Sequence, residues 1–350
     1  MQTKSLSSMF RLTTIFFVIA FAAGMAQGAS PAKPPVKEVQ ARLDSLIKAA
    51  KSEGELTFYS GATENVAKRA SDAFAAKYGI RTQFTRIAGV GLLQRYGAEA
   101  DAGNFAADAI LIAGGALAFA NDAIKKGWIE SISEAGIPVI LSGEFPAEFN
   151  KGLTAVVQTS PWLLAYHSER VKGGDIPKDW PDILNPRFKG QLILPDPRAS
   201  DAYLDLWAAL LDKYGEPFFS RLRAQGPRFV SQGVQAMQGL GAGEGDISLP
   251  QITSGVMAIK DKGAPVGAVT PPYTTGVEMQ IILTARQKAK HPNAARLFAN
   301  YVLSSEGNKV VNDEPEGITL YDTSKLPKEY QSPKPGTAGR KDQIVKLLGL

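Results

Sequence analysis

The sequence predicts an α/β fold: two doubly wound α/β lobes joined by crossing hinge strands, with a ligand cleft between the lobes. Three observations carry this. The chain has 350 residues, long for one ordinary domain and ample for two cores. A strand–loop–helix unit recurs three times between positions 56 and 126 and resumes after 191, the alternation that builds a parallel sheet with helices on both faces. A strand-like stretch at 153–166 and a Pro- and Thr-rich segment at 270–276 supply the two crossings between the series.

Taken in order, Lys4 and Arg11 precede nine apolar residues at 15–23 and a small-residue zone ending Ala26-Gln27-Gly28, the layout of a cleavable export signal at 1–28. The apolar run is too short to span a bilayer, which needs about 20 residues. A Pro-rich spacer, 29–35, follows. A helix is expected from 36, with Val39, Leu43, Leu46, Ile47 and Ala50 at spacings of three and four, ending near Gly54. The first lobe then reads as strands at 56–59, 81–87 and 108–112 and helices at 64–78, 92–102 and 116–126. The second reads as strands at 191–194, 229–231 and 247–249 with helices at 201–214 and from 234. Strands at 266–268 and 279–284 and a helix at 292–304 return the chain. The expected division is lobe 1 at 36–157 plus 270–290, lobe 2 at 158–269, and C-terminal helices with a surface tail at 291–350.

Composition narrows the function. The net charge is +5, or +3 once Lys4 and Arg11 leave with the signal, and no basic run offers nucleic acid a footprint. Cysteine is absent, which removes disulfides, thiolate metal sites and thiol nucleophiles. The two histidines, His167 and His291, form no metal-ligand pair, so neither metal nor cofactor is expected. A nucleophile elbow, a P-loop and a full dinucleotide fingerprint are all missing, and an enzyme on this fold would have to act without them.

Several short segments fall in one order: Phe58-Tyr59-Ser60-Gly61; Leu93-Gln94-Arg95 with Glu99, Gly103 and Asp108; Tyr166-His167-Ser168; Pro177 through Gly190; Asp196-Pro197; Ala242-Gly243-Glu244; His291-Pro292-Asn293-Ala294-Ala295; and Ser304-Ser305-Glu306-Gly307. Over roughly 56–312 the chain resembles the periplasmic solute-binding proteins of ABC transporters, in the branch of ferric-iron binders and their relatives for organic solutes. That resemblance implies a type II periplasmic binding fold that closes on a solute and hands it to membrane permease subunits, working as a monomer in the periplasm. Iron binders of the family carry adjacent tyrosines where this chain reads Ile247-Ser248-Leu249-Pro250-Gln251. A ferric-iron site is therefore the alternative, and an organic, anionic solute the main expectation.

Candidate ligand residues come from the loops at strand ends, where such sheets bind. Ser60, Gly61, Ala62 and Thr63 open a helix and suit an anion, or simply cap it. Gly89 and Gly114 lie in tight loops that allow close approach of a ligand. Trp162 and Tyr273 occupy the two crossings and either stack on a ligand or fill the lobe interface. Arg198, with Ser200, follows a second-lobe strand and faces an anion or pairs with Asp196 or Asp201. Ser231 and Gln232 add hydrogen-bonding groups at another strand end. Arg95 and Glu99, four apart on a helix, read as a scaffold ion pair.

Overall fold

The structure is a computed structural model that describes residues 34–87, 89–313, 317–334 and 336–350. The expected signal, most of the spacer and the loop residue Ala88 lie outside the described residues. Lobe 1 begins with α1 (Val36–Glu53), which stops at Gly54 in the left-handed conformation, φ 74°. Three strand–helix units follow: β1 (Glu55–Ser60) with α2 (Glu64–Tyr78), β2 (Arg81–Arg86) with α3 (Val90–Asp101), and β3 (Ala109–Ala113) with α4 (Ala116–Lys125). β1 pairs in parallel with β2 on one side and β3 on the other. β4 (Ile129–Glu130), α5 (Pro138–Leu141) and β5 (Ala155–Pro161) complete this pass.

Lobe 2 comprises β6 (Leu163–His167), β7 (Leu192–Pro195), α6 (Asp201–Ala224), β8 (Arg228–Val230), α7 (Gly233–Gly241), β9 (Ile247–Gln251), α8 (Thr253–Lys260) and β10 (Val266–Val269). Its five strands run in the order β10-β6-β9-β7-β8. The chain returns through β11 (Tyr273–Thr274) to β12 (Gly276–Thr284), which enters the lobe 1 sheet antiparallel to β3 and β5. α9 (Pro292–Leu303) and α10 (Ser305–Val311) follow, then β13 (Glu329–Tyr330) and α11 (Lys341–Leu348).

Each of the two large sheets is covered on both faces. Phe58 stacks on Phe298 of α9, centroids 4.9 Å apart, and Phe74 of α2 meets Phe298 edge-on, while Tyr59, Leu92, Tyr96 and Ile110 fill the opposite face. Trp180, Trp207 and Phe219 anchor the larger lobe 2 core, and Leu163, Met237 and Leu240 the smaller one. Full burial of such side chains stabilises by roughly 1.5–3 kcal/mol each.

Three expectations differ from what the structure shows. The single strand expected at 153–166 is two strands in different sheets, parted at Trp162, whose N–H donates to Thr275 O at 2.9 Å. Both halves are buried, so one unbroken apolar run serves two cores. The helix expected to stop at 214 continues to Ala224 through a kink at Gly215 (φ 68°), because Pro217 suits the first turn of a new helical stretch and Phe218, Phe219 and Leu222 are buried beneath it. The C-terminal stretch expected to wander over the surface is docked. Ile344 and Leu348 lie in the lobe 2 core, Tyr330 bonds to Thr159 and Glu278, and Lys334 and Arg340 both pair with Asp212. Its Lys, Pro and Gly content reflects the exposed side of the strap and conceals the two apolar anchors.

Candidate functional site

Register fixes where the strand ends lie. Ser60 stands opposite both Arg86 and Leu111, so the loops after β1, β2 and β3 share one edge of lobe 1. In lobe 2, Pro195 stands opposite Val230 and Ile193 opposite Ser248, so the loops after β7, β8 and β9 share another. The two edges touch at Gly114 and Gly115. A Cβ built on Gly114 would lie 3.4 Å from Ala202 N, and one on Gly115 3.4 Å from Asp201 Oδ2. Both glycines have positive φ, 72° and 67°, so a side chain there would be strained as well as set against lobe 2. Asp201 thereby brings a carboxylate across the cleft to the start of α4.

Helix starts crowd these edges. α2, α3 and α4 begin on the lobe 1 edge, and none of their N-cap residues, Thr63, Gly89 and Gly115, makes a side-chain capping bond. On the lobe 2 edge the N-cap residues of α7 and α8, Gln232 and Ile252, make no side-chain capping bond either, although Tyr203 OH accepts from Gly233 N, the first N–H of α7. Only α6 is capped there, by Ser200 Oγ accepting from Ala202 N at 3.3 Å. Helix N-termini carry unsatisfied N–H groups and partial positive charge, which together form anion-binding positions.

Among the expected residues, Ser60 is fully buried and its Oγ accepts from Ala62 N at 3.2 Å, while Gly61 donates to Leu111 O at 2.7 Å. Both shape the loop from within and leave exposed Thr63 and half-buried Ala62 at its rim. A Cβ on Gly61 would lie 2.8 Å from Ile112 Cδ1, which accounts for a glycine there. Gly89 (φ 63°) has open space around it. Arg198 is half exposed and engaged locally: Nε lies 2.9 and 3.0 Å from the two Asp196 oxygens and Nη2 2.5 Å from Oδ2. These hydrogen bonds hold the Asp196 carboxyl below the usual range. This is the local pair with Asp196, one of the two roles the sequence leaves open for Arg198.

Trp162 is buried in the lobe 2 core against Tyr203, ring centroids 5.4 Å apart, and Tyr203 OH accepts from Gly233 N at 3.0 Å. Ser231 Oγ donates to Gln235 Oε1 at 2.6 Å beside exposed Gln232. Tyr273 is tied to α6 away from the strand ends: its hydroxyl donates to Ala209 O at 3.2 Å, and Lys213 Nζ lies 4.6 Å from its ring centre. Arg95 pairs with Glu99 at 2.8 Å, and Glu99 also accepts from Tyr59 OH, a scaffold pair.

One residue escaped the sequence reading. Arg86, the exposed last residue of β2, donates from Nε to Ala62 O at 2.9 Å, which sets its guanidinium over the Ser60–Thr63 loop. Its terminal nitrogens have no partner among the described residues. Its place at the carboxyl end of a parallel strand was the available signal. Among the described residues no group of three His, Asp or Glu side chains is placed to hold a metal ion, and no helix is long and apolar enough to cross a membrane.

Comparison with known proteins agrees with this layout. The pattern of the bacterial extracellular solute-binding protein family matches residues 56–314. An uncharacterised protein of Haemophilus influenzae is 25% identical over 279 residues, covering 77% of this chain and 79% of that one. The periplasmic binding protein AfuA of Actinobacillus pleuropneumoniae, solved with exogenous fructose-6-phosphate bound, superposes with a TM-score of 0.63 at 23% identity, over 85% of this chain and 99% of its own. Iron-bound HitA of Pseudomonas aeruginosa gives a TM-score of 0.66 at 19% identity, over 85% and 99%. With two helix-covered lobes meeting at their strand ends and a family match over most of its length, this chain belongs to the bacterial extracellular solute-binding proteins and has the two-lobed type II periplasmic binding fold.

Proposed function

We propose that this protein captures a small anionic organic solute between its lobes in the periplasm and delivers it unchanged, as a monomer, to the permease of an ABC transporter. The observation that carries this reading is the meeting of uncapped helix N-termini with Arg86 at one edge. The start of α2 supplies backbone donors, Arg86 supplies a full charge and a two-pronged donor, and the only acidic group in that first turn, Glu64, is exposed to screening solvent. Closure of the hinge would bring the uncapped start of α8 toward the same ligand. A ferric-iron reading has less support, since β9 carries no tyrosine and buried Glu278 is already engaged by Tyr330 OH at 3.3 Å.

A thermal-shift screen of sugar phosphates, carboxylates, phosphonates, polyamines and ferric citrate tests the class, followed by calorimetry on the best hit. Arg86→Gln is expected to weaken an anionic hit by about 2 kcal/mol, the worth of a hydrogen bond to a charged group, roughly 30-fold in affinity. Arg198→Ala is expected to stay within about twofold, because an exposed local pair contributes under about 1 kcal/mol. A neutral or cationic best ligand, or an unchanged affinity in Arg86→Gln, refutes the anion grip. The exported form is expected to lack residues 1–28, and intact-mass measurement on periplasmic material checks it; a mature chain beginning at Met1 contradicts export by cleavage.

A further inference from the structure

The lobe 1 edge that carries the anion grip changes sign along its length. Ser60 stands opposite Arg86 of β2 and Leu111 of β3, so the ends of β2 and β3 flank β1 about 10 Å apart, two strand spacings. Toward the β2 end lie Arg86 and the start of α2. At the β3 end stands Asp201, reaching over from lobe 2, its Oδ2 3.4 Å from the place a Cβ would take on Gly115.

Asp201 is partly exposed and lines a cavity of about 350 Å³ at the lobe junction, a volume within the roughly 300–1,000 Å³ of small-molecule pockets. The two lysines of that cavity face other carboxylates: Lys151 Nζ lies 4.0 Å from Glu278 Oε2, and Lys334 Nζ 3.0 Å from Asp212 Oδ2. Asp201 has no hydrogen bond or ion pair among the described residues. It sits beside the start of α4, whose N-cap, Gly115, supplies no side chain. A helix start carries about half a unit of positive charge, which the full charge of a carboxylate outweighs. The β3 end therefore repels an anion and attracts a cation, the reverse of the β2 end.

We propose that Asp201 sets the specificity of the cleft by accepting from an ammonium group, so that the solute is a small acid of net negative charge that also carries one amine. This rests on the anion grip: the acid group meets Arg86 and the start of α2, and the ammonium of the same molecule meets Asp201. A charge-assisted hydrogen bond is about twice as strong as a neutral one, so an amine is favoured at Asp201 over a hydroxyl.

Calorimetry on the full mature protein tests this with two matched pairs, L-glutamate with glutarate and 2-aminoethylphosphonate with ethylphosphonate, whose members differ only by the amine. In the parent the aminated member of at least one pair is expected to bind about tenfold more tightly than its partner. In Asp201→Asn, a change at a partly exposed position that removes the charge and keeps the size, the two members are expected to bind within about twofold of each other. Pairs that bind equally in the parent overturn the proposal without any variant. A preference for the amine that survives in Asp201→Asn overturns it too, and leaves Asp201 as a first-turn complement to the dipole of α6. Equal binding within both pairs, with the expected loss in Arg86→Gln, removes the ammonium site alone and leaves the anion grip standing. No binding by any of the four acids up to about 10 mM overturns both readings.

Discussion

Replacing Asp108 with alanine is expected to lower the unfolding free energy by about 2–5 kcal/mol, because each buried backbone donor left without its acceptor costs about 1–3 kcal/mol. The carboxylate is 1% exposed and holds three donors from two distant segments: Thr57 N at 2.9 Å, His291 N at 2.9 Å and the His291 ring at 2.9 Å. It thus ties β1 to the start of α9 across the base of β3, and alanine would leave the Thr57 and His291 backbone donors without an acceptor. Asp108→Asn keeps one oxygen and removes the charge, so it is expected to lose less than Asp108→Ala. Urea midpoints with an unchanged slope measure both. A loss under about 1 kcal/mol in the alanine variant would contradict this account of the junction.

Asp108 and His291 also show why so much of the fold was legible and so little of the site. Both belong to the short segments that carry the family resemblance, and they meet although 183 positions apart. Trp180, from another such segment, donates its indole N–H to Tyr273 O at 2.7 Å, and Gly243, from a third, accepts from Arg170 at 2.7 Å. These residues hold elements together, so recognising them establishes architecture and leaves the solute open. The turn at 60–63 and the closing Gly79 bound α2 at 64–78, and its buried positions, Val66, Ala70 and Phe74 among them, recur at helical spacing.

Site chemistry depends on which polar groups are left over after the scaffold is satisfied, and that is a tertiary property. Arg198 and Arg86 are both arginines at the ends of parallel strands. Only the structure shows that Asp196, two positions before Arg198, has already engaged one of them, while the other leans on a backbone carbonyl with its outer nitrogens open. Trp162, a crossing residue that the sequence leaves between stacking and filling, is set by the placement of Tyr203 on α6.

Asp205→Asn is expected to stabilise the protein by about 2–4 kcal/mol at pH 8 and by less than about 1 kcal/mol near pH 4.5. Burial on α6 is the largest cause of the raised Asp205 pKa, to about 7; the charges of Asp201 and Glu278 raise it further, and a hydrogen bond with Thr337 lowers it. In the unfolded chain the same group titrates near ~3.9. Between about pH 4 and pH 7 the folded protein therefore keeps a proton that the unfolded chain has released, so stability falls as pH rises through that window. Below it both states are protonated and Asp205 costs nothing; above it the cost of ionising this half-buried carboxyl is present. A shift of about three units corresponds to about 4 kcal/mol at most, which sets the upper figure. Asparagine never ionises, so its advantage should grow along the same pH window. The effect reaches the ligand cleft, because Lys151, Asp201 and Lys334 line the same cavity beside the Gly114 and Gly115 contact. Thermal unfolding of parent and variant from pH 4 to pH 8 decides the matter, and parallel profiles across that range would show that Asp205 does not titrate as a buried group.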